Sequence, residues 1–341
     1  MKLIPDQYIK EKVEIYPHKE ASKPLVSVCI QTYNQEEYIR NCIESILNQV
    51  TDFEFEIVIG EDASSDKTRD ICIEYAKKYP EKIRLVLHKR ENVIYIENQP
   101  LGTFNGIYNM QVSKGDFIAT CDGDDYWISP NKLQKQIDVF RKDKECALVF
   151  GNYNILKSDG TQSQKYELGE ISSDKLFDIH YLLSINVMPA YCTLMFRKEF
   201  IPSPFPNFIF DSFNGDWAYL FVFANKRKIG YIEEPVSVYR LGVGIVSKTN
   251  NYAKLQNGLR ANRAINAYTN FEYDYHIGNE EWLIKNIAFS LLENKQRTKG
   301  VLKVFYKLFY SFSKRKLKYF FKENKQFLKH ATKLLFGLNT K

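Results

Sequence analysis

Three groups of acidic side chains in this sequence could take part in chemistry. The most informative is Asp122-Gly123-Asp124, a DxD pattern that directly follows a short apolar run. Closely spaced carboxylates are hard oxygen ligands suited to Mg²⁺ or Mn²⁺, and these ions in turn bind diphosphate groups. The intervening glycine permits a ligand to approach the backbone closely. The pattern therefore predicts a divalent-metal site, and a solvated acidic turn is the alternative interpretation.

The other two groups are Glu61-Asp62 and an isolated Asp216. A carboxylate at Glu61 or Asp62 can accept a hydrogen bond from a base N–H or a ribose hydroxyl. The residues that follow, Ser65 and Asp66, can cap a helix, so a purely structural role is the alternative. Asp216 heads an apolar segment, where it can be a helix cap or a general base that takes a proton from an attacking hydroxyl.

Short apolar runs rich in β-branched residues predict the strands that position these side chains. Predicted strands cover residues 25–31, Phe55–Ile59, Ile83–Leu87, Asp116–Cys121 and Ala147–Phe150, with shorter ones at Leu194–Phe196, Ile229–Ile232 and Val236–Tyr239. The segments between the first five have the periodicity of amphipathic helices. Asn34 is the predicted N-cap of the first helix, with Glu37 completing a capping box, and Ser64 or Ser65 would cap the second.

This alternation predicts an α/β fold with a mostly parallel central sheet flanked by helices. Ligands bind such sheets outside the carboxyl ends of the strands. Three polar clusters fall at those ends, namely Thr32-Tyr33-Asn34, Glu61-Asp62 and Asp122–Asp125. Their convergence on one edge is the main functional indication, and it does not depend on any single motif.

The charge of the chain is unevenly distributed. The net charge is +7, but residues 295–341 carry fourteen Lys and Arg against one acid, Glu323, so the rest of the chain is acidic. None of the six cysteines forms a CxxC pair, which predicts buried, reduced thiols. The sequence has no uninterrupted apolar stretch of membrane-spanning length and no apolar signal core at its start, so we expect a cytoplasmic protein.

Several motifs in register resemble the family 2 glycosyltransferases. The matching stretches are VSVCIQTYNQEEYIRNCIESILNQ, FEIVIGEDASSDKTRDI, GDFIATCDGDDYW, GDW and IEEPVSVYR, and their order matches the family over residues 24–248. The resemblance implies a GT-A fold and an inverting, metal-assisted sugar transfer of the hexosyltransferase type. The donor would be a nucleotide-diphosphate sugar, most often of uridine, and the acceptor a glycan or a lipid-linked molecule in bacterial polysaccharide synthesis, such as capsule or lipopolysaccharide.

The resemblance also implies roles for individual residues. Asp124 would be the direct ligand of Mn²⁺ or Mg²⁺, with Asp122 near the ribose and the metal, and Asp216 would be the catalytic base. The remaining nucleotide-sugar contacts would come from Thr32, Tyr33, Asn34, Glu61, Asp62, Gly123 and Arg240, the last through bidentate phosphate contacts. Trp127 and Trp217 would line the sugar or acceptor side, and a core position is the alternative for both.

This sequence departs from the family after Tyr239-Arg240. Relatives commonly carry a histidine there that can complete the metal site, whereas this chain reads Leu241-Gly242-Val243-Gly244. The resemblance therefore assigns no third metal ligand, and weaker metal binding is a hypothesis that follows.

The predicted organisation is an N-terminal extension (1–23), a GT-A domain (24–250) and a helical C-terminal region (251–341). The GT-A domain would divide into a nucleotide-sugar half (24–128) and an acceptor half (129–250). Within the C-terminal region, residues 299–335 alternate lysines and aromatic residues at helical spacing. Such a helix suits an anionic membrane surface, here the inner face of the plasma membrane. Packing on the catalytic body is the alternative, and no motif supports nucleic-acid binding.

Two other functions fit parts of the pattern. A nucleotidyltransferase would share the α/β sheet and acidic metal site, but it normally needs a basic, Gly-rich loop after the first strand, and QTYNQEEY lacks one. A catalytically inactive glycan- or partner-binding module would fit the missing histidine. The retained Asp122, Asp124 and Asp216 argue against that module.

Overall fold

The computed structural model describes residues 2–19, 23–96, 99–167, 169–171, 173, 175–185, 187–210, 215–244 and 251–270. The chain divides into two compact units, residues 1–248 and 249–341. The predicted amphipathic helix at 299–335 lies outside the described residues. None of the helices described here is long and apolar enough to cross a bilayer.

Twelve strands lie in the described part of the first unit. They are β1 (Glu14–Ile15), β2 (Val26–Thr32), β3 (Phe55–Glu61), β4 (Ile83–Leu87), β5 (Ile94–Ile96), β6 (Gln99–Leu101), β7 (Phe117–Asp122), β8 (Tyr126–Trp127), β9 (Cys146–Leu156), β10 (Gln162–Gln164), β11 (Met195–Arg197) and β12 (Lys228–Arg240). In the described part of the chain, one sheet has the order β1-β4-β3-β2-β7-β11-β9-β12-β8, with β10 beside β9. Strands β5 and β6 form a separate hairpin.

Helices follow most of the long strands. The first unit contains α1 (Ile39–Leu47), α2 (Thr68–Lys78), α3 (Thr103–Val112), α4 (Lys132–Lys142), α5 (Ile179–Ser184) and α6 (Gly215–Ala224), and the second contains α7 (Asn251–Tyr268). Each of the first four helices buries an apolar face, as the predicted amphipathic periodicity indicates. The helix predicted from about residue 251 is observed as α7.

The sheet brings the carboxyl ends of its longest strands to one edge. Strands β4, β3, β2 and β7 are parallel neighbours. Strand β11 is antiparallel to both β7 and β9, and β12 is parallel to β9. The six longest strands therefore run in the same direction. The predicted α/β class with a mostly parallel central sheet is confirmed.

The core lies between this sheet and its helices. Val28 and Ile30 of β2, Ile57 of β3, and Ile43 and Ile46 of α1 are fully buried in one apolar cluster. Burying side chains of this size stabilises the fold by about 1.5–3 kcal/mol each, before the conformational entropy cost. All six cysteines are free and buried, which confirms the prediction for the thiols.

The predicted caps of the first two helices are wrong. Helix α1 begins at Ile39, several residues after Asn34, whose backbone has φ +50° and whose side chain binds another loop instead. Glu37 therefore completes no capping box. Helix α2 begins at Thr68, and its first amide donates to Asp66 Oδ1 at 2.9 Å, so Ser64 and Ser65 do not cap it.

Strand β12 was predicted as two short strands. It is continuous, but its register against β9 shifts on either side of Pro235. Proline has no N–H to give to the ladder, so the pairing bulges there without ending. This single strand reaches from the core to Arg240 at the functional edge.

Candidate functional site

The acidic loop after β7 brings three carboxylates together. Oxygens of Asp122, Asp124 and Asp125 lie within 4.8 Å of one another. Burial raises the pKa of Asp125 well above its usual value, and the charges of Asp124 and Asp122 raise it further. Such crowding of like charges is costly unless a cation or a proton offsets it. The hard-oxygen donor set therefore fits Mg²⁺ or Mn²⁺, and Asp125 places a third carboxyl group beside the two that the sequence predicts.

The end of β2 holds this loop in place. Gly123 donates its amide to the Gln31 carbonyl at 3.0 Å, and the Gln31 side-chain amide donates to Asp122 Oδ1 at 2.6 Å. A Cβ on Gly123 would stand 2.8 Å from Thr32 Oγ1 and 2.5 Å from Gln35 Oε1, closer than atoms can pack. Glycine is needed here because the loop lies directly against β2. Sequence analysis missed Gln31, although a polar residue at the end of an apolar strand is a detectable signal.

The Glu61-Asp62 pair divides into two different roles. Glu61 is fully buried, and its carboxylate accepts hydrogen bonds from the Ser64 amide and the Arg69 guanidinium. Both of its oxygens are used within the protein, so the nucleoside contact predicted for Glu61 is not supported by this geometry. Asp62 follows it at the strand end, where its amide donates to the Thr32 carbonyl at 3.1 Å.

Asp62 forms a charged cluster with an arginine from the next strand end. The Arg90 guanidinium donates to Asp62 Oδ2 at 2.8 Å and lies 4.1 Å from the centre of the Tyr33 ring. Burial raises the pKa of Asp62 to about 6, because desolvation outweighs the opposing attraction of Arg90. Tyr95, in the hairpin, lies 3.4 Å from the same guanidinium. Sequence analysis missed Arg90 and Tyr95, although Arg90 follows a predicted strand end.

Two other predicted residues connect loops at this edge. Asn34 Oδ1 accepts the Ser65 amide at 2.8 Å, while the Asn34 amide donates to Ser64 Oγ at 2.9 Å. Thr32 is buried and donates its hydroxyl to Gln35 at 2.8 Å. The Asn34 side chain thus joins the loops after β2 and β3, and the Thr32 hydroxyl holds the loop after β2, next to Tyr33.

The predicted catalytic base lies in the first turn of α6. The backbone places Asp216 and Trp217 there, and their side chains lie outside the part of the chain that the structure describes. Trp127 is 4% exposed and donates its indole N–H to the Cys192 carbonyl at 2.9 Å. Of the two positions left open for Trp127, the structure shows the core, so its predicted contact with a sugar or acceptor is corrected.

Arg240 lies at the acidic loop, at the end of β12. Its guanidinium donates to the Asp124 carbonyl and to Asn41 Oδ1. Its backbone amide donates to Asp125 Oδ1 at 2.9 Å. The bidentate contact with a diphosphate expected for Arg240 stays a prediction, and the structure adds these contacts with the protein to it.

His88 is a buried neutral group at the same edge. It is 1% exposed, and neither ring nitrogen has a partner in good hydrogen-bond geometry, although the Asn109 amide lies nearby. Burial lowers the pKa of His88 to about 3, against a smaller opposing effect of Asn109. The unfolded chain therefore binds a proton between about pH 6.5 and pH 3 that the folded chain does not.

We expect the free energy of unfolding to fall as the pH drops below 6.5, by about 2 kcal/mol at pH 5 from this group alone. Urea unfolding of the wild type and of His88→Leu at pH 7.5 and pH 5 measures the effect. The variant should lose about 2 kcal/mol less than the wild type between the two pH values. Equal losses in both proteins would mean that His88 takes up a proton in the folded state.

Comparison with known proteins supports the family and the fold that the sequence predicts. Residues 27–201 match the family described as Glycosyl transferase family 2. The first relatives are uncharacterized proteins of Mycobacterium bovis and Mycobacterium tuberculosis, 29% identical over 216 residues, or 63% of this chain. The chain spans 58% of their length.

Two further comparisons concern a named relative and a solved structure. TuaG of Bacillus subtilis, by name a candidate glycosyltransferase of teichuronic acid biosynthesis, is 33% identical over 144 residues, covering 42% of this chain and 52% of TuaG. The crystal structure of Staphylococcus aureus TarS 1–349 in complex with UDP-GlcNAc aligns with a TM-score of 0.50 at 19% identity. That alignment covers 78% of this chain and 71% of TarS 1–349, and it supports the GT-A fold alone.

Proposed function

This chain belongs to glycosyl transferase family 2, and from that premise we propose that it transfers a sugar from a nucleoside diphosphate donor to a hydroxyl group of a glycan or lipid-linked acceptor. The observation that carries the proposal is the cluster of three carboxylates at the edge of the sheet where Asp62 also lies. The three carboxylates can hold a cation together with a diphosphate. Asp62 can recognise a nucleoside.

The nucleoside would be uridine, bound at Tyr33, Asp62 and Arg90. The Asp62 carboxylate can accept a hydrogen bond from the N–H of the uracil ring. The Tyr33 ring offers a flat apolar face, and Arg90 holds both side chains in place from the neighbouring loop. Thr32 and Asn34 contribute by fixing the loops that carry these groups.

The diphosphate would lie at the acidic loop. Asp124 and Asp122 would hold Mn²⁺ or Mg²⁺, with Asp125 within reach of the same ion. When bound, such a cation supplies positive charge that offsets the charge developing on the departing diphosphate. Gly123 would contribute by letting this loop lie directly against β2, because the space of a side chain there is filled by Thr32 and Gln35.

Asp216 would be the general base of the transfer. It would take the proton of the acceptor hydroxyl as that oxygen attacks the anomeric carbon on the face opposite the diphosphate. The bond from the anomeric carbon to the diphosphate oxygen breaks with its electron pair on the leaving group. A single displacement of this kind inverts the anomeric configuration.

The acceptor would be a growing surface polysaccharide or its lipid-linked precursor. TuaG, whose name refers to teichuronic acid biosynthesis, supports this class of acceptor. The basic segment 299–335 would keep the enzyme at the cytoplasmic face of a membrane that contains such lipids. A capsule or lipopolysaccharide product belongs to the same proposal.

The nucleoside part predicts a pH dependence. Asp62 must be ionised to accept the uracil N–H, so binding should weaken as the pH falls through about 6, the pKa of this carboxyl. We expect uridine affinity to fall by about tenfold per unit below that point. Uridine itself does not titrate in this range, and NMR titration from pH 7.5 to pH 5 measures its binding without a metal.

Asp62→Asn is the matched variant, because it keeps the shape of the side chain without the titration. Its uridine affinity should be weaker than that of the wild type at pH 7.5 and independent of pH. A wild-type affinity that does not change between pH 7.5 and pH 5 would remove Asp62 from the proposed nucleoside site.

A further inference from the structure

Arg240 makes two hydrogen bonds to the acidic loop and one to helix α1. Its backbone amide donates to Asp125 Oδ1 at 2.9 Å, and Nη1 donates to the carbonyl of Asp124. On the other side, Nη2 donates to Asn41 Oδ1 at 2.9 Å. The arginine thus connects the loop after β7 to the first helix and to the end of β12, three segments far apart in the sequence.

Two tyrosines hold the guanidinium in this position. It lies 4.6 Å from the centre of the Tyr126 ring and 5.0 Å from that of Tyr38. Tyr126 belongs to β8, which pairs with β12 two residues before Arg240. Cation–π contacts on two rings and hydrogen bonds to two acceptors restrict the planar guanidinium in a way that a single ion pair would not.

We propose that the Arg240 side chain is a positioning group that holds the backbone of the acidic loop at Asp124, and with it the Asp124 carboxylate, in the geometry that binds the divalent cation. This inference rests on the cation site of the proposed function. It differs from the sequence expectation, in which Arg240 contacts the diphosphate directly. The contact to the Asp124 carbonyl fixes the backbone from which that carboxylate extends, and the backbone contact orients one Asp125 oxygen.

The direction in which cation affinity changes when Arg240 is replaced separates a positioning role from a purely electrostatic one. Removing a positive charge beside three carboxylates strengthens their attraction for a cation, if nothing else changes. Loss of positioning has the opposite effect, because ligands that are not held pay an ordering cost when the cation binds. Without nucleotide, a weaker cation affinity in an Arg240 variant therefore shows that lost positioning outweighs the removed charge, and no diphosphate contact contributes to it.

The test measures Mn²⁺ affinity by electron paramagnetic resonance in the full chain without nucleotide. We expect Arg240→Met to bind Mn²⁺ about tenfold more weakly than the wild type. Arg240→Lys keeps the charge but has no planar fork to reach two acceptors, so its affinity should fall between those of the wild type and Arg240→Met.

Asn41→Ala is the variant that leaves both the charge and the acidic loop intact. Asn41 is exposed on α1, and alanine favours a helix more than asparagine does, so folding is retained. It should weaken Mn²⁺ binding by about threefold, through the loss of one hydrogen bond to Arg240.

Unchanged or tighter Mn²⁺ binding in Arg240→Met would overturn the inference, as would a wild type that binds no Mn²⁺. If Arg240→Met lost affinity for UDP in the presence of EDTA but kept its affinity for Mn²⁺, Arg240 would be assigned to the diphosphate instead. The proposed function is tested separately. If the variants gave the expected order of Mn²⁺ affinities but the wild type released no nucleoside diphosphate from any sugar donor, positioning would be supported without sugar transfer.

Discussion

Asp124→Asn is expected to lower the rate of sugar transfer by about a thousandfold at saturating donor and fixed Mn²⁺. The carboxylate is buried beside Asp125 and the half-buried Asp122, and a neutral amide is a poorer ligand for a hard cation. A thousandfold loss corresponds to about 4 kcal/mol of transition-state stabilisation, which is within the range that a bound metal supplies.

The measurement is release of nucleoside diphosphate, together with Mn²⁺ binding to both proteins. Asp52→Asn is a suitable control, because Asp52 is an exposed carboxylate paired with Arg141 on the surface. This control should keep its activity within about twofold, as expected for an exposed ion pair. Retention of more than a tenth of the activity in Asp124→Asn would show that the acidic loop does not hold an essential metal.

Asp216→Asn should lower kcat by about a hundred- to ten-thousandfold, the range that a general base contributes. The affinity for the donor should not change, because the base acts on the acceptor hydroxyl. Asp216 lies within the first turn of α6, so the loss of its charge removes only about 0.3–1 kcal/mol of interaction with the helix dipole, and the variant should remain folded.

Two assays separate the roles of Asp216. Isothermal titration with UDP in the presence of Mn²⁺ reports donor binding, and product formation at saturating donor reports kcat. A normal kcat in Asp216→Asn would remove Asp216 from the role of general base. Equal losses of kcat and UDP affinity would place it in the donor site.

The parallel strands could be predicted because each is a short, buried, apolar run, which leaves an unambiguous signal. The polar ends of β3, β2 and β7 were also predictable, since Glu61, Thr32 and Asp122 directly follow or end those runs. Their adjacency comes from the strand order, in which Thr32 pairs with Glu61 and Gln31 with Asp122. The acidic loop could therefore be identified as a metal-site candidate from the sequence.

Contacts between distant segments could not be predicted in the same way. Arg90 pairs with Asp62 across 28 residues, and Arg240 reaches Asp124 across 116. No local pattern indicates which of the many arginines makes such a contact. The predicted cap at Asn34 failed for a related reason, because its side chain bonds to Ser65 in a loop 31 residues away. Tertiary hydrogen bonds overrode a local preference there.

Trp127 illustrates a second limit. An aromatic residue just after a DxD pattern can face either a ligand or the core, and the residue type is the same in both cases. The deciding contact is its indole N–H to Cys192, 65 residues away. Whether Trp127 faces a ligand or the core depends on which segment of the chain packs behind the acidic loop.

The most direct test of the account is nucleoside diphosphate release from a panel of nucleotide sugars with Mn²⁺, comparing the wild type with Asp124→Asn and EDTA-treated wild type. We expect release from one uridine diphosphate sugar, lost in both comparisons and faster when a glycan or lipid-linked acceptor is added. No release from any sugar and no metal-dependent binding of any donor would contradict it. The chain would then be a non-catalytic member of the family, with Asp122, Asp124 and Asp125 as structural groups.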